Sequence, residues 1–181
     1  RIEIHRERIL HNYDLYKRLT GVDIFPVLKS NAYGHGIDEI VGILKDREFP
    51  YFVVDGYFEA LRVWETWRHP VLLIGYIDPV NYKFMKLGDV ALAVWDAETV
   101  KALGALGKRV KIHLKVDTGM NRQGIRAEDV PDLMKLIMKY KNLNLEGIMS
   151  HFADADGETD EYTEKQKLRF NEAVKIATEV R

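Results

Sequence analysis

Apolar and polar positions alternate along the chain in two rhythms. Short, predominantly apolar runs (IFPVLK, YFVVD, VLLIG, VALAV, VKIHLKV and LNLEGIMS) have the length and composition of buried strands. Between them lie amphipathic stretches over 37–45, 57–67, 79–87, 97–106, 130–140 and 160–180. In the last of these Phe170, Ala173, Val174 and Ala177 share one helical face. Before the first run, Ile2 and Ile4 alternate with charged residues as in a short half-buried strand. Ile9, Leu10, Tyr13 and Tyr16 then fall at helical spacing over 6–19, a helix that Thr20 and Gly21 stop.

Strands apolar on both faces and separated by helices pair in parallel through right-handed crossovers. An open doubly wound sheet and a barrel both satisfy that rule. The doubly wound sheet favours a glycine-rich dinucleotide fingerprint after its first strand, and this chain has none. Polar, chemically able residues instead stand at the C-terminal ends of several runs: Lys29, Asp55, Lys115 with Asp117, and Ser150 with His151. Active sites of (β/α)8 barrels are built from that end. The pattern therefore predicts an α/β chain forming a partial TIM barrel, about six of the eight strand–helix units. No linker, repeat or charge run marks a second domain, so 1–181 reads as part of one barrel domain.

Composition narrows the function classes. At 181 residues, with 46% hydrophobic and 30% charged residues, the chain is an ordinary globular one with room for a core. A net charge of -1 without a basic cluster argues against a nucleic-acid partner. The absence of cysteine excludes disulfides, thiolate metal sites and a cysteine nucleophile. No apolar stretch has the length of a membrane span, and the charged opening RIEIHRERIL is unlike a signal peptide. These features predict a cytoplasmic protein with no membrane partner.

Three motifs carry the chemistry. VLKSNAYGHG (27–36) drives Lys29 to the end of an apolar run and then breaks into glycines. Such a lysine either snorkels to solvent or sits partly desolvated with its amine pKa pulled below the ~10.4 reference. In the second case a neutral amine attacks carbonyls and forms a Schiff base. Tyr33 offers a hydroxyl to a phosphate, and His35 reads as a turn residue. In HLKVDTGMNRQGI (113–125) a run ends in Lys115 and Asp117, followed by a glycine turn and Arg122. These charges either pair on the surface or emerge where burial demands partners; the planar guanidinium of Arg122 suits a carboxylate or a phenolic oxygen. In EGIMSHFADAD (146–156) His151 follows another apolar run. His151, Asp154 and Asp156 lie close together, but no second histidine has metal-ligand spacing, so no metal is expected. A hydrogen-bonding strut is the better reading of His151.

In their order and spacing, VLKSNAYGHG, KVDTGMNRQGI and GIMSHFADAD closely resemble the alanine racemase family. The opening RIEIHRERILHNYDLYKRL is similar to that family's start. The resemblance implies a pyridoxal phosphate-binding TIM barrel followed by a β-rich domain, working as a head-to-tail homodimer. It implies interconversion of L- and D-alanine, a small amino-acid substrate, by two-base proton transfer, supplying D-alanine for peptidoglycan in the cell wall. By position, Lys29 would be the Schiff-base lysine and one catalytic base, and Tyr33 would contact the cofactor phosphate. Arg122 would meet the phenolic oxygen and approach the substrate carboxylate. Lys115 matches a lysine carbamylated in several members, and His151 one that supports an arginine facing the pyridine ring.

The chain departs from the family mildly within the motifs and plainly in length. Ser30 stands where alanine is commonest and Gln123 where an apolar residue is usual. No tyrosine here matches the family's second base, and the later barrel units and β-rich domain have no counterpart. The expectation is a piece of a longer racemase; a split enzyme or a self-associating half-barrel are the alternatives. A racemase for another amino acid, or an isolated chain that binds cofactor without turnover, also fits these residues.

Overall fold

A computed structural model describes residues 3–180, in two compact units: Arg1–Asp78 with Asp89–Ala91, and Pro79–Gly88 with Leu92–Arg181. In the first, helix α1 (Arg6–Thr20) buries Leu10 and Tyr13 and ends where Gly21, at φ 67°, returns its N–H to the Lys17 carbonyl. Ile4 is half-buried but outside any strand, and Ile2 lies outside the described residues. The run IFPVLK forms no full strand. It makes one parallel bridge, Val27 to Val53, with Leu28 donating to the Val53 carbonyl at 2.7 Å and Val53 to the Pro26 carbonyl at 2.8 Å. Pro26 has no N–H to extend the ladder, which reduces the expected strand to this bridge.

Helix α2 (Ile37–Leu44), strand β1 (Phe52–Val54), helix α3 (Tyr57–Thr66) and strand β2 (Val71–Leu73) follow, with β1 and β2 paired in parallel and buried on both faces. Around them an aromatic cluster closes this core. Phe49 meets Phe52 edge-on at 4.7 Å, and the His69 ring stacks on Trp67 at 4.3 Å. His69 also places Nε2 3.0 Å from the Phe49 carbonyl.

The helix expected over 79–87 is replaced by two 3-10 segments, Pro79–Phe84 and Leu87–Asp89. Buried Tyr82 and Met85 are three residues apart, the period of a 3-10 helix, and Met85 donates to the Tyr82 carbonyl at 3.2 Å. Strand β3 (Val90–Val94) is buried at every position. Helix α4 (Ala97–Ala105) is capped by Asp96, whose carboxylate accepts from the Thr99 N–H at 2.7 Å. Strand β4 (Val110–Lys115), helix α5 (Val130–Met138), strand β5 (Leu143–Met149) and helix α6 (Glu161–Val180) complete the series.

All five strands are parallel and lie in chain order, β1-β2-β3-β4-β5, alternating with helices. The architecture is thus a partial (β/α) barrel with five formed strands where six apolar runs were expected. The β4–β5 register slips between Ile112 and His113, so that His113 faces Gly147. A Cβ on Gly147 would lie 2.7 Å from Nδ1 of His113, so the bulge and the missing side chain together make room for the ring. Among the described residues no helix is long and apolar enough to cross a membrane.

Candidate active site

In the first unit the chain leaves the Val27 bridge and enters a five-residue helical turn, Lys29–Tyr33, of unusual hand. Ser30, Asn31, Ala32 and Tyr33 have φ of 54°, 54°, 52° and 53°, and the first three have ψ near 47°. Four consecutive L-residues in the left-handed region cost on the order of 5 kcal/mol. The surroundings must hold them there. Ala32 donates to the Leu28 carbonyl at 2.7 Å, Gly36 to the Asn31 carbonyl at 3.0 Å, and the Asn31 side chain accepts from the Ile37 N–H at 3.0 Å. Nδ1 of His35 lies 2.9 Å from the Ala32 carbonyl, a turn role as expected from the sequence.

One further residue grips the turn from outside. Glu59, at the third position of α3, accepts from the Ser30 N–H at 2.6 Å through Oε1. Its Oε2 accepts from the Asp55 N–H at 2.8 Å and the Gly56 N–H at 3.4 Å. Lys29 itself is half-buried, with Nζ 5.8 Å from the centre of the Tyr33 ring. Its amine has no hydrogen bond or ion pair among the described residues. Tyr33 is 61% exposed.

In the second unit the ends of β4 and β5 carry a different assembly. Lys115 is 4% exposed, donates to Oε1 of Gln123 at 3.0 Å, and lies 5.5 Å from the centre of the Trp95 ring. Asp117 turns its carboxylate inward to the loop that follows, accepting from the N–H groups of Gly119 at 2.9 Å and Asn121 at 3.1 Å. Burial pushes the Asp117 carboxyl up, but backbone donors from Gly119, Asn121, Arg122 and Met120 outweigh it and hold the group below its ordinary value. Of the two alternatives open for this motif, the surface Asp–Arg pair does not form among the described residues, because this carboxylate serves the loop backbone. The Arg122 side chain is exposed, with no hydrogen-bond or ion-pair partner among the described residues.

Helix α6 fastens this loop. Gln166, 1% exposed, donates from Nε2 to Thr118 Oγ1 and to the His151 carbonyl, both at 3.0 Å, and accepts from the Ala153 N–H at 2.8 Å. Thr118 and Ser150 hydroxyls lie 2.8 Å apart. One turn away on either side, the Tyr162 hydroxyl donates to the Gly119 carbonyl at 2.7 Å and Arg169 to the Thr118 carbonyl at 2.9 Å. His151 is exposed, with Nδ1 2.6 Å from the Phe152 carbonyl, and lines a cavity of about 200 Å³ with Thr118, Ser150 and Gln166. Lys115, Arg122 and His151 therefore occupy one unit and Lys29 with Tyr33 the other.

Two residues that organise these places escaped the reading of the sequence. Glu59 is a carboxylate in the first turn of a helix, a position where acidic residues are common for capping alone. Gln166 left a clearer trace: it precedes Phe170, Ala173 and Ala177 on the apolar stripe of α6, where a polar residue must find partners.

Parallel strands alternating with helices, and a lysine closing the first extended segment, define an incomplete (β/α) barrel. The chain belongs to the family described as alanine racemase, N-terminal domain, whose model matches residues 4–181. It is 34% identical over 183 residues to alanine racemase 2 of Caldanaerobacter subterraneus subsp. tengcongensis, a match covering 97% of this chain and 47% of that protein. The alanine racemase of Bacillus anthracis with bound L-Ala-P superposes with a TM-score of 0.87 at 31% identity, covering 96% of this chain and 47% of that one. A histidine racemase from Leuconostoc mesenteroides superposes at 0.84 with 26% identity, covering 92% and 46%. The chain thus spans about half the length of the relatives it matches.

Proposed function

We propose that this chain is the lysine-bearing part of a pyridoxal phosphate-dependent racemase that interconverts L- and D-alanine. The observation that carries the reading is the family match along residues 4–181, supported by the motif VLKSNAYGHG, whose resemblance to the family's cofactor-attachment motif assigns that role to Lys29. The local structure suits the cofactor. Lys29 presents a half-buried amine with no hydrogen bond or ion pair among the described residues, on the same held turn as the Tyr33 phenol. The Arg122 guanidinium is likewise unclaimed among the described residues.

Bound pyridoxal phosphate supplies the electron sink that acidifies a substrate Cα–H bond. Lys29 holds the cofactor and moves the α-proton at Nζ on one face of the substrate, a task that favours an amine pKa near the working pH. Tyr33 donates its hydroxyl to the phosphate. Arg122 offers a planar pair of donors to the phenolic oxygen and the substrate carboxylate. Lys115, carbamylated as in several family members, orients Arg122, and His151 supports an arginine of the later barrel. The opposite face needs a second base, proposed to be a tyrosine from the partner in a head-to-tail homodimer. The remaining barrel and a β-rich domain belong to the proposed whole protein, a cytoplasmic enzyme supplying D-alanine for peptidoglycan.

A second reading keeps the chemistry and changes the substrate, favoured by the likeness to a histidine racemase. Both are tested by adding pyridoxal phosphate to the chain, reducing with borohydride and mapping the adduct. Modification at Lys29, lost in Lys29→Ala, is expected; modification elsewhere defeats the assignment. Racemisation of L-alanine and L-histidine by the whole protein then separates the substrates, and turnover of histidine alone would overturn alanine.

A further inference from the structure

We propose that Glu59 is a positioning residue for Lys29, holding the left-handed turn that presents the amine. The inference rests on the reading of Lys29 as the reactive amine and deepens it.

The Lys29–Ser30 peptide plane joins the lysine to four residues that all carry positive φ. Its N–H is bound at 2.6 Å by Oε1 of Glu59. The orientation of that plane sets ψ of Lys29 and hence the direction in which its side chain leaves the backbone. Bonds inside the turn, such as Ala32 to Leu28 and Gly36 to Asn31, shape the turn but do not fasten its first amide to a neighbouring element. Glu59 does. Its other oxygen is bound by the N–H groups of Asp55 and Gly56, between β1 and α3. A single carboxylate thus ties the lysine turn to the end of the strand beside it. Bonds from backbone N–H to an ionised acceptor are stronger than neutral ones and more exacting in direction.

The arrangement demands a carboxylate of this length. Two oxygens receive donors from opposite sides, and glutamine has one acceptor oxygen, so Glu59→Gln turns an amide NH2 toward either Ser30 or Asp55. Aspartate keeps both oxygens but is one methylene shorter. It can cap α3 and cannot also span to Ser30. Capping alone would tolerate Glu59→Gln.

The test compares the parent chain with Glu59→Gln, Glu59→Asp and Phe58→Ala, the last a neighbour that is 84% exposed. Amide exchange is followed by residue, and the rate of borohydride-trapped adduct formation at Lys29 is measured with pyridoxal phosphate. In Glu59→Gln the Ser30 amide is expected to exchange at least tenfold faster, with β1 and β2 unchanged, and trapping at Lys29 to slow about tenfold. Glu59→Asp is expected to do the same and is the decisive variant if Glu59→Gln does not fold; Phe58→Ala changes neither. Unaltered exchange at Ser30 in the folded variants overturns the proposal, as does faster exchange with an unaltered trapping rate. If the parent chain forms no adduct at Lys29, the reading of that lysine falls. The exchange data then still judge whether Glu59 holds the turn.

Discussion

Gln123 and Gln166 are amides that satisfy buried polar groups. Lys115 is nearly fully buried, and in the unmodified lysine one of the ammonium protons is taken by Oε1 of Gln123. Removing an acceptor from a buried charged donor costs about 1.5–3 kcal/mol. Gln123→Leu is therefore expected to lower stability by that order, read as a shift of the urea midpoint at constant slope. Gln123→Glu, which restores an acceptor, should recover most of the loss; equal losses in both would mean that packing at 123 matters and the bond does not. Gln166, 1% exposed, holds three partners through its one side-chain amide. Gln166→Leu is close in volume and leaves those groups unmatched, at a cost of roughly 2–4 kcal/mol. A neutral Gln166→Leu variant would show that the loop is held by Tyr162 and Arg169 alone. Lys29, Lys115 and His151 stood out in the sequence because a charge or imidazole ending an apolar run is conspicuous. Glu59 was not, because its partners are backbone N–H groups of residues 29 positions away and at its own helix start, which no side-chain pattern records.

Helices and strands were legible wherever burial and periodicity agreed. The apolar stripes of α1, α2, α4, α5 and α6 gave their positions to within a residue or two, since each needs one buried face and has it. Two of the misreadings, the IFPVLK strand and the 79–87 helix, turn on how backbone groups bond rather than on which residues are apolar. Pro26 denied a ladder donor to an apolar run, and the three-residue spacing of Tyr82 and Met85 suits a tighter helix. Two helical glycines test how far propensity reaches. Gly42 in α2 has open space around a would-be Cβ, whereas a Cβ on Gly104 in α4 would lie 2.3 Å from the Tyr140 ring. Gly42→Ala is expected to stabilise the chain by about 0.5–1 kcal/mol, the usual helix preference for alanine. Gly104→Ala carries the same preference and is expected to destabilise by roughly 1–3 kcal/mol, because the ring must move. Thermal denaturation of the pair decides it: stabilisation by both would show that Tyr140 repacks freely.

Stability of the whole molecule should depend on pH through half-buried His69 in one unit and buried His113 in the other. Burial lowers the pKa of His69 from 6.5, partly offset by the Phe49 carbonyl. It lowers that of His113 likewise, partly offset by Glu146. An unfolded histidine near pH 6.5 then binds more protons than a folded one, so acidification favours the unfolded chain. The contribution is fully present above pH 6.5 and is lost as pH falls through the lower folded values. Carboxylates do not confuse this window, because Asp14 and Asp117 have folded pKa values below an already low 3.8 and lose their contribution only in stronger acid. The urea midpoint is therefore expected to hold steady from pH 8 to 7 and to fall between pH 6.5 and 5. His69→Phe keeps a ring against Trp67 and removes the titration, so it should flatten part of that fall, and His113→Phe another part. Because the two residues belong to different units, their effects should add in the double variant. A midpoint that rises on acidification, or a slope unchanged in the double variant, would mean that neither ring is kept neutral by burial.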